Sequence, residues 1–432
     1  MKYLRPFYIF LLFSLLFQAA VMAQTPSLKD QAKSEFKKEH YTQAISLLEK
    51  AAKESPDDAE IFYLLGFYTH YNAYDSRPLA GYNDKYSDAV FRYLDRALEL
   101  KPDYGDAKYF YGAECSANAF KYMHRRQADN LKKIYKKAYD KGAYPEWLLE
   151  FGRNFMNTCD QNAILFTGGN PDFDACTYLQ LHENFRKDIT VIPISAMIDR
   201  TWYVSFLKKG LPGAVRSINI DLTEEQIDDM RPFKWDTTVV TIPISDALKT
   251  KLKLPASAVM NWSVAPDLVA NRTKQEDPKK KRTLLSPQRA VLLSIIESNK
   301  WERPVYFSNA AVEEFFGGLK DYFRNCGLTS ELLPVKTKDT KWVADKYKLE
   351  KLFSDPGNFR YYKTIKTKDI PRISGMTMFY FGSAVNLAEI YSQEGNRNAI
   401  TKLAEFCKQN LAVGYKNDAE LYYLDEITNY LH

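Results

Sequence analysis

Short runs of almost continuously apolar or β-branched residues constrain this chain more than any other feature. They stand at 162–167, 188–194, 237–244 and 303–308. Helix-length stretches separate them, at 172–186, 200–209 and 287–298. Strands without polar alternation, each followed by a helix, are typical of a parallel sheet that helices cover on both faces. The pattern predicts a Rossmann-like α/β domain over residues 156–340, with a further edge strand at 331–335.

A helical pattern with small residues at a fixed spacing precedes this region. Ala44 and Ala51 lie seven residues apart on one face of a predicted helix. Leu48 fills the space between them, and Pro56 ends the helix. Small residues at this spacing allow a second helix to approach closely, as in tetratricopeptide repeats.

The same pattern recurs further along the chain. Its later matches are Phe62-x-x-Leu65-Gly66, residues 86–102 and residues 108–112. An insertion rich in Tyr, Gly and Pro, residues 72–85, lies among them and is a candidate functional segment. The Tyr-rich stretch 63–82 is a candidate lining for a groove on the repeat surface. Because each repeat buries its faces only against its neighbours, we predict a tetratricopeptide-like helical repeat domain over residues 24–155.

Residues 341–432 return to helical patterns, and 387–406 resembles half a repeat, so C-terminal helical hairpins are expected there. The predicted fold class is thus α plus α/β.

The N-terminus has the features of a secretory signal peptide. A basic start precedes an apolar run over 6–17, and Val21 and Ala23 supply small side chains before a cut at Gln24. The run is shorter than the roughly 20 residues that a membrane-spanning helix needs. We predict that residues 1–23 are removed and that the mature chain is exported to the periplasm without a transmembrane span. An uncleaved N-terminal anchor is the alternative.

Composition narrows the classes of partner. The formal net charge is only +6, with basic residues spread among acidic ones, which argues against nucleic-acid binding. The five cysteines include no C-x-x-C pair, so neither a zinc ribbon nor a thioredoxin-type site is predicted. In an oxidising compartment one disulfide is possible among them. The odd number leaves at least one thiol that is free or paired outside the chain.

The turn from Thr167 to Asp172 is the best candidate for a binding site. Gly168 and Gly169 permit backbone angles that a side chain resists. Asn170 is the predicted N-cap of the next helix, with Pro171 as its first residue. Backbone N–H groups at such a turn suit an anion or sugar hydroxyls, and α/β folds bind ligands at the carboxyl ends of parallel strands. The candidate ligand-binding residues are Thr167, Gly168, Gly169, Asn170, Asp172, Ser195 and Asn309.

Two interpretations of this turn stay open. Asp172 and Asp174 lie in the first turn of the helix, where they satisfy its dipole and would repel a phosphate. Under this capping interpretation, Asp172→Ala costs roughly 0.3–1 kcal/mol and affects no ligand. Under the ligand interpretation, Asp172, Ser195 and Asn309 face solvent and bind a neutral sugar or a cation.

No catalytic residue, metal site or cofactor is predicted. His182 is the one histidine of the predicted α/β domain and lies within a helix, and no G-x-S-x-G nucleophile elbow occurs. Asp172-x-Asp174 offers too few oxygen ligands for calcium or magnesium. A dinucleotide-binding G-x-G-x-x-G is also absent.

Three blocks of the middle region carry a family resemblance. They are Asn162-Ala163-Ile164-Leu165-Phe166-Thr167, Arg186 to Ser195 with Trp202-Tyr203, and Trp301-Glu302-Arg303-Pro304-Val305-Tyr306-Phe307. In this order they resemble the soluble C-terminal region of large Bacteroidetes membrane proteins related to protein O-mannosyltransferases. The resemblance implies architecture and an envelope location. It does not imply the reaction, because such families keep their catalytic acids and lipid-linked donor site in the membrane-embedded half.

These observations favour a non-catalytic periplasmic protein-binding or scaffold protein whose helical repeats hold a protein partner. The alternative is an accessory or divergent component of an envelope glycan-transfer pathway, with a glycan or an envelope glycosyltransferase as partner. A hydrolase lacks a nucleophile–base pair in this sequence and is the least favoured class.

The signal-peptide assignment predicts the first residue of the mature protein. Because Val21 and Ala23 flank the expected cut, N-terminal sequencing of protein from the envelope fraction should begin at Gln24. Recovery of the intact form, beginning at Met1, from the cytoplasm would contradict export.

Overall fold

The computed structural model describes residues 26–75, 83–194, 197, 201–269, 281–311, 313–338, 340–341, 343–362, 365, 375–411 and 418–431. Contacts between residues divide the chain into two compact units. Among the described residues, the first unit ends at Asp103 and the second begins at Tyr104. The predicted signal segment, 1–23, lies outside the described residues.

The first unit is helical. Its helices are α1 Leu28–Lys37, α2 Tyr41–Glu54, α3 Ala59–Asp75 and α4 Ser87–Leu100. Each helix contacts the next one along the chain. Ser27 caps α1 by accepting a hydrogen bond from the N–H of Asp30, the usual arrangement for a Ser N-cap.

Small residues lie where these helices are buried. Ala44, Leu48 and Ala51 are the buried residues of α2. On α3, a Cβ added to Gly66 would lie 2.5 Å from a methyl carbon of Leu94 on α4. The prediction of N-terminal helices is therefore confirmed. Their assignment to the tetratricopeptide type stays a prediction.

The second unit begins with helices and continues into strands. Its elements as far as the centre of the unit are α5 Gly105–His124, α6 Ala128–Asp140, α7 Glu146–Asn157, β1 Ile164–Thr167, α8 Asn170–His182, β2 Thr190–Pro193, α9 Thr201–Lys209, α10 Glu224–Asp228, β3 Phe233–Lys234, β4 Thr238–Pro243, α11 Asp246–Leu252 and β5 Val259–Val264. The later elements are β6 Leu284–Leu285, α12 Pro287–Asn299, β7 Val305–Ser308, β8 Phe323–Asn325, β9 Thr329–Leu332, α13 Lys346–Ser354, α14 Met378–Gln393, α15 Arg397–Asn410 and α16 Asp418–Asn429.

A five-stranded sheet forms the centre of this unit, in the order β2-β1-β7-β9-β8. The strands β2, β1 and β7 are parallel, with Leu165 of β1 level with Val191 on one side and Tyr306 on the other. Every residue of these three strands is buried, as expected for strands covered on both faces. The prediction of a central sheet with parallel strands is confirmed.

The sheet is not parallel throughout. The strand expected at 331–335 is β9 Thr329–Leu332, which runs antiparallel to β7 and to β8. Pro334 falls beyond its end, and proline has no N–H to contribute to a ladder.

The run at 237–244 does not belong to the central sheet. Its strand, β4, pairs antiparallel with β5 in a separate two-stranded sheet. Ile242 is the one fully buried residue of β4, whereas β5 alternates exposed and buried side chains. A β-branched run predicts a strand but not its partner, because β-propensity depends on which face becomes buried.

Helices return at the C-terminal end, as expected for residues 341–432. The helix α14 packs against α15 and α16, and α15 contacts α16. Leu387 and Ala388 of α14, together with Leu403 and Cys407 of α15, are buried. The expected half repeat at 387–406 therefore supplies apolar faces to a helical cluster.

All five cysteines are buried as thiols. No described helix is both long enough and apolar enough to cross a lipid bilayer.

The small-residue positions of α2 lead to a test. Ala44 has no exposed surface, so Ala44→Leu should overpack the contact and lower the free energy of unfolding by about 1–3 kcal/mol. Gln43→Leu is the control, because it adds the same side chain at an exposed neighbouring position. Urea unfolding of both variants measures the difference. Equal stabilities would contradict a close helix contact at Ala44.

Candidate functional site

The sheet has one topological switch point, between β1 and β7. From β1 the chain crosses to β2 on one side, and from β2 it returns to β7 on the other. Right-handed crossovers then place α8 and α12 on opposite faces of the sheet. Ligands of open α/β sheets bind at the carboxyl ends of the strands beside such a point. The turn after Thr167 and the residues after Ser308 lie at this edge.

The side chain of Asp172 lies at this edge and fills it. Its side chain is only 2% exposed. The N–H of Gly168 donates to one carboxylate oxygen at 2.9 Å, and the N–H groups of Gly169 and Phe173 donate to the other at 3.0 and 3.1 Å. Burial raises the pKa of Asp172, while hydrogen bonds from the two glycine N–H groups and from Ser308 oppose that shift. The ligand interpretation required Asp172 to face solvent, whereas its side chain is buried.

The start of α8 differs by one residue from the prediction. Gly169 is the N-cap, Asn170 the first helical residue and Pro171 the second. Asp172 is the third, and it accepts the N–H of the N-cap, which is one half of a capping box. A glycine cap has no side chain to make the other half.

The segment after β7 closes the same edge. A Cβ added to Gly168 would lie 2.8 Å from the carbonyl carbon and oxygen of Ala310, so only glycine fits there. The Asn309 side-chain amide donates to the carbonyl of Gly327 at 2.6 Å and accepts from the Ser330 hydroxyl at 2.8 Å. Protein groups thus occupy the donors and acceptors that an external ligand would need.

The remaining predicted residues complete this picture. Thr167 is buried, and its hydroxyl donates to the carbonyl of Ile192. Ser195 and the side chain of Asn170 lie outside the described residues. His182 has Nε2 at 3.0 Å from the carbonyl of Lys132, so this nitrogen carries the proton and is not a base.

The opposite edge of the sheet is held by Arg303. Its guanidinium donates to the carbonyls of Asn162, Ala163 and Ser217 and to the hydroxyl of Thr190, at 2.6–3.0 Å. Burial lowers the pKa of Arg303 to about 10, so the group stays charged at neutral pH. These bonds tie the amino ends of the three parallel strands together. Sequence reasoning found the block that contains Arg303 but not this role.

Arg186 has a comparable role beside it. It donates to the carbonyls of Met156, Cys159 and Asp160 and pairs with Asp188 at 2.9 Å. Its backbone lies in the left-handed region, with φ 45°. A non-glycine residue there is strained, and these bonds offset the strain.

A polar cleft of about 400 Å³ lies at this amino edge. Side-chain amides and hydroxyls dominate its lining, and Tyr347 stands at it with 72% of its surface exposed. The cation of Lys348 pairs with Asp160 at 2.8 Å and donates to the Tyr306 hydroxyl at 2.6 Å. The polar lining residues are Asn154, Asn157, Thr158, Asp160, Gln161, Arg186, Lys348, Lys351 and Asn358. Sequence reasoning missed this cleft because its two halves are far apart along the chain.

Cys326, Glu331 and Asp345 form a cluster that has the donor atoms for a metal ion, all within 4.8 Å of one another. Arg324 already pairs with Glu331 at 2.5 Å and lies 3.7 Å from Asp345. Burial raises the pKa of the Cys326 thiol, which disfavours the thiolate that metals bind. We therefore interpret the cluster as an ion-pair network around Arg324.

Asp174 lines a small second pocket between α5, α7 and α8. It is 3% exposed and accepts hydrogen bonds from the Ser116 and Tyr135 hydroxyls at 2.9 Å, both on Oδ1. Burial raises its pKa to about 7, against those two hydrogen bonds, and the charge of Asp172 adds to the shift. Sequence reasoning treated Asp174 as a first-turn acid. No local signal could reveal its partners, since they come from separate helices.

A family model described as TMEM260-associated domain 2 matches residues 148–277 and 269–351. The match falls on the segment that carries the three sequence blocks, and the middle of the chain is similar to that family. No curated protein matches the chain. No solved structure matches it either.

The burial of Asp172 changes the expected effect of its replacement. Asp172→Ala leaves the N–H groups of Gly168 and Gly169 without their acceptor, whereas the Phe173 N–H keeps the carbonyl of Gly169 at 3.3 Å. The loss should cost about 2–4 kcal/mol of unfolding free energy rather than the smaller dipole contribution. Asp129→Ala is the matched control, because Asp129 is an exposed first-turn acid of α6. Its cost should stay at about 1 kcal/mol or less. Chemical denaturation of both variants tests this, and similar small losses would show that the buried bonds contribute little.

Proposed function

We propose that this chain is a non-catalytic binding protein that holds a protein partner through N-terminal repeats of the tetratricopeptide type. We place it in the periplasm and assign the central sheet to a Rossmann-like domain that stabilises the protein rather than binding a nucleotide. The observation that carries the proposal is a cluster of partly exposed aromatic rings in the first unit.

This cluster, the aromatic patch, consists of Phe36, Tyr41, Phe67 and Tyr71. Phe36 contacts the other three rings at centroid distances of 5.1–5.6 Å, and Phe67 meets Tyr71 edge-on at 5.0 Å. Tyr71 is 44% exposed. Contiguous exposed apolar surface marks interaction sites, and aromatic residues are enriched where proteins bind one another. Helical repeats present such residues on the surfaces that hold peptides.

The buried ionisable groups support a non-catalytic role for the second unit. Asp172 accepts backbone N–H groups, and Arg186 and Arg303 donate to backbone carbonyls. Glu150 accepts the N–H groups of Tyr361 and Tyr362 at 2.9–3.2 Å. Groups committed to the backbone in this way are poor candidates for proton transfer to a substrate.

A second candidate function is an accessory role in envelope glycan transfer, in which the polar cleft contacts a glycan. Tyr347 offers an exposed ring for a sugar face, and Asn157 and Gln161 offer amides for its hydroxyls. The cleft lies largely within the segment that matches the TMEM260-associated domain. The resemblance to proteins related to O-mannosyltransferases supports the same candidate function, an accessory role in glycan transfer.

A pair of variants separates the two candidates, each serving as the control for the other. Tyr71→Ala removes the exposed ring of the aromatic patch, and Tyr347→Ala removes the exposed ring of the cleft. In quantitative pull-downs from native envelope extract, Tyr71→Ala should lose at least one partner by about tenfold, as for a hot-spot tyrosine, while Tyr347→Ala retains it. If the parent and both variants recover every partner equally, binding through the aromatic patch is contradicted. On an array of mannose oligosaccharides, binding that is lost only in Tyr347→Ala would establish the second candidate instead.

A further inference from the structure

We propose that the polar cleft at the amino edge of the sheet binds an acidic sugar, whose carboxylate contacts the ammonium groups of Lys348 and Lys351. This inference deepens the second candidate function and rests on its assignment of a glycan to the cleft, but it does not depend on the aromatic patch. The volume of the cleft, about 400 Å³, lies within the range of small-molecule sites. The division of its lining into bonded and free polar groups indicates the kind of ligand.

Several polar groups of the lining are already bonded to the protein. The five N–H donors of Arg186 go to the carboxylate of Asp188 and to three backbone carbonyls. The amide of Asn154 donates to the carbonyl of Asn358 at 2.6 Å and to the hydroxyl of Tyr380 at 2.8 Å. The side chains of Arg186 and Asn154 therefore shape the cleft, and their N–H donors are not available to a ligand.

The one carboxylate among the described lining residues is Asp160, and a cation balances it. Asp160 pairs with Lys348 at 2.8 Å. Burial raises the pKa of Asp160, but the hydrogen bond and charge of Lys348, together with the charge of Lys251 on α11, lower it by more. Asp160 is therefore ionised and matched by Lys348, which leaves the charge of Lys351 unbalanced among the lining residues.

The free groups of the lining are of three kinds. Without a side-chain partner among the described residues are the ammonium of Lys351, the amides of Asn157 and Gln161 and the hydroxyl of Tyr347, all on exposed residues. Lys348 adds one donor, because an ammonium has three N–H groups and the described residues accept two of them, at Asp160 and at the Tyr306 hydroxyl. The cleft thus offers cationic donors, amides and an aromatic ring.

These groups favour a sugar that carries a carboxylate. Lys348 and Lys351 are three residues apart on α13, so they are neighbours on one face of the helix and can contact the same anionic group. Their hydrogen bonds to a carboxylate are charge-assisted and about twice as strong as those to a neutral hydroxyl. The ring of Tyr347 has an apolar face that suits the C–H face of a pyranose, and the two amides suit its hydroxyls. A neutral sugar would leave Lys351 unpaired.

The experiment uses the full chain and two probes, methyl α-D-mannopyranosiduronate and methyl α-D-mannopyranoside. They differ only at C6, which is a carboxylate in the first and a hydroxymethyl group in the second. In ligand-observed NMR titrations at neutral pH and constant ionic strength, the uronate should bind about tenfold more tightly. Equal affinities, both lost in Tyr347→Ala, would overturn this inference and support the second candidate function. Binding of neither probe would reject both.

A pair of lysine variants locates the carboxylate. Lys351→Gln removes the unpaired ammonium, so it should weaken binding of the uronate by about three- to tenfold and leave binding of the neutral glycoside unchanged. Lys133→Gln removes the same charge from an exposed residue of α6 outside the lining, and it should bind both probes as the parent does. Lys348 is kept, because its removal would leave the ionised Asp160 unpaired. Unchanged preference for the uronate in Lys351→Gln would contradict the assignment.

Competition by acetate separates recognition of a sugar from binding of any small anion. Acetate has the carboxylate but neither the hydroxyls nor the ring face, so it should displace the uronate only at much higher concentration. Displacement by acetate at the same concentration as the uronate would show that the cleft does not recognise the sugar, and would reject the inference.

Discussion

The central sheet depends on one guanidinium. Arg303, just before β7, donates to the carbonyls of Asn162 and Ala163 beside β1 and to the hydroxyl of Thr190 on β2, so a single charged side chain joins the amino ends of all three parallel strands. Parallel strands have no tight turns to set their mutual position, because each connection crosses over the sheet. Hydrogen bonds from a charged donor in a partly buried site are strong, so they can hold the strands in position where tight turns are absent. Loss of this residue would leave several buried carbonyls without partners at once.

Polar groups at the two edges of the sheet are used differently. At the carboxyl edge, Asp172 and the segment around Ala310 fill the space where a ligand of an α/β fold would bind. At the amino edge, the charges of Arg186 and Lys348 are also paired, yet an open cleft with uncharged amides remains. Among the described residues, the open polar cleft beside this sheet therefore lies at the edge opposite to the one that its topology favours.

The sequence predicted features that depend on neighbours in the chain. The periodicity of Ala44, Leu48 and Ala51 identified the buried face of α2, and the apolar runs located β1, β2 and β7. It failed where the partner is distant. The run at 237–244 gave a strand, but its pairing with β5 was set by which side chains become buried.

The candidate site shows the same limit. Glycine and aspartate at 168–172 indicated a turn that caps a helix, but the closure of this turn by Ala310 depends on a contact across the sheet. Asp174 acquires its unusual environment from Ser116, Tyr135 and Tyr144, which belong to separate elements. None of these residues forms a motif with Asp174 along the chain, so only the folded structure brings the group together.

The geometry around Asp172 has a consequence for how such a fold changes over evolutionary time. Three N–H groups converge on its carboxylate, just as they would on the phosphate or carboxylate of a small molecule. Asp172 is in effect a permanently bound anion, supplied by the chain itself. A descendant with a small side chain at this position and a displaced 309–311 segment would inherit a cradle that is already shaped for an external anion. The turn thus has the donor geometry of an anion site, and one of the chain's own carboxylates occupies it.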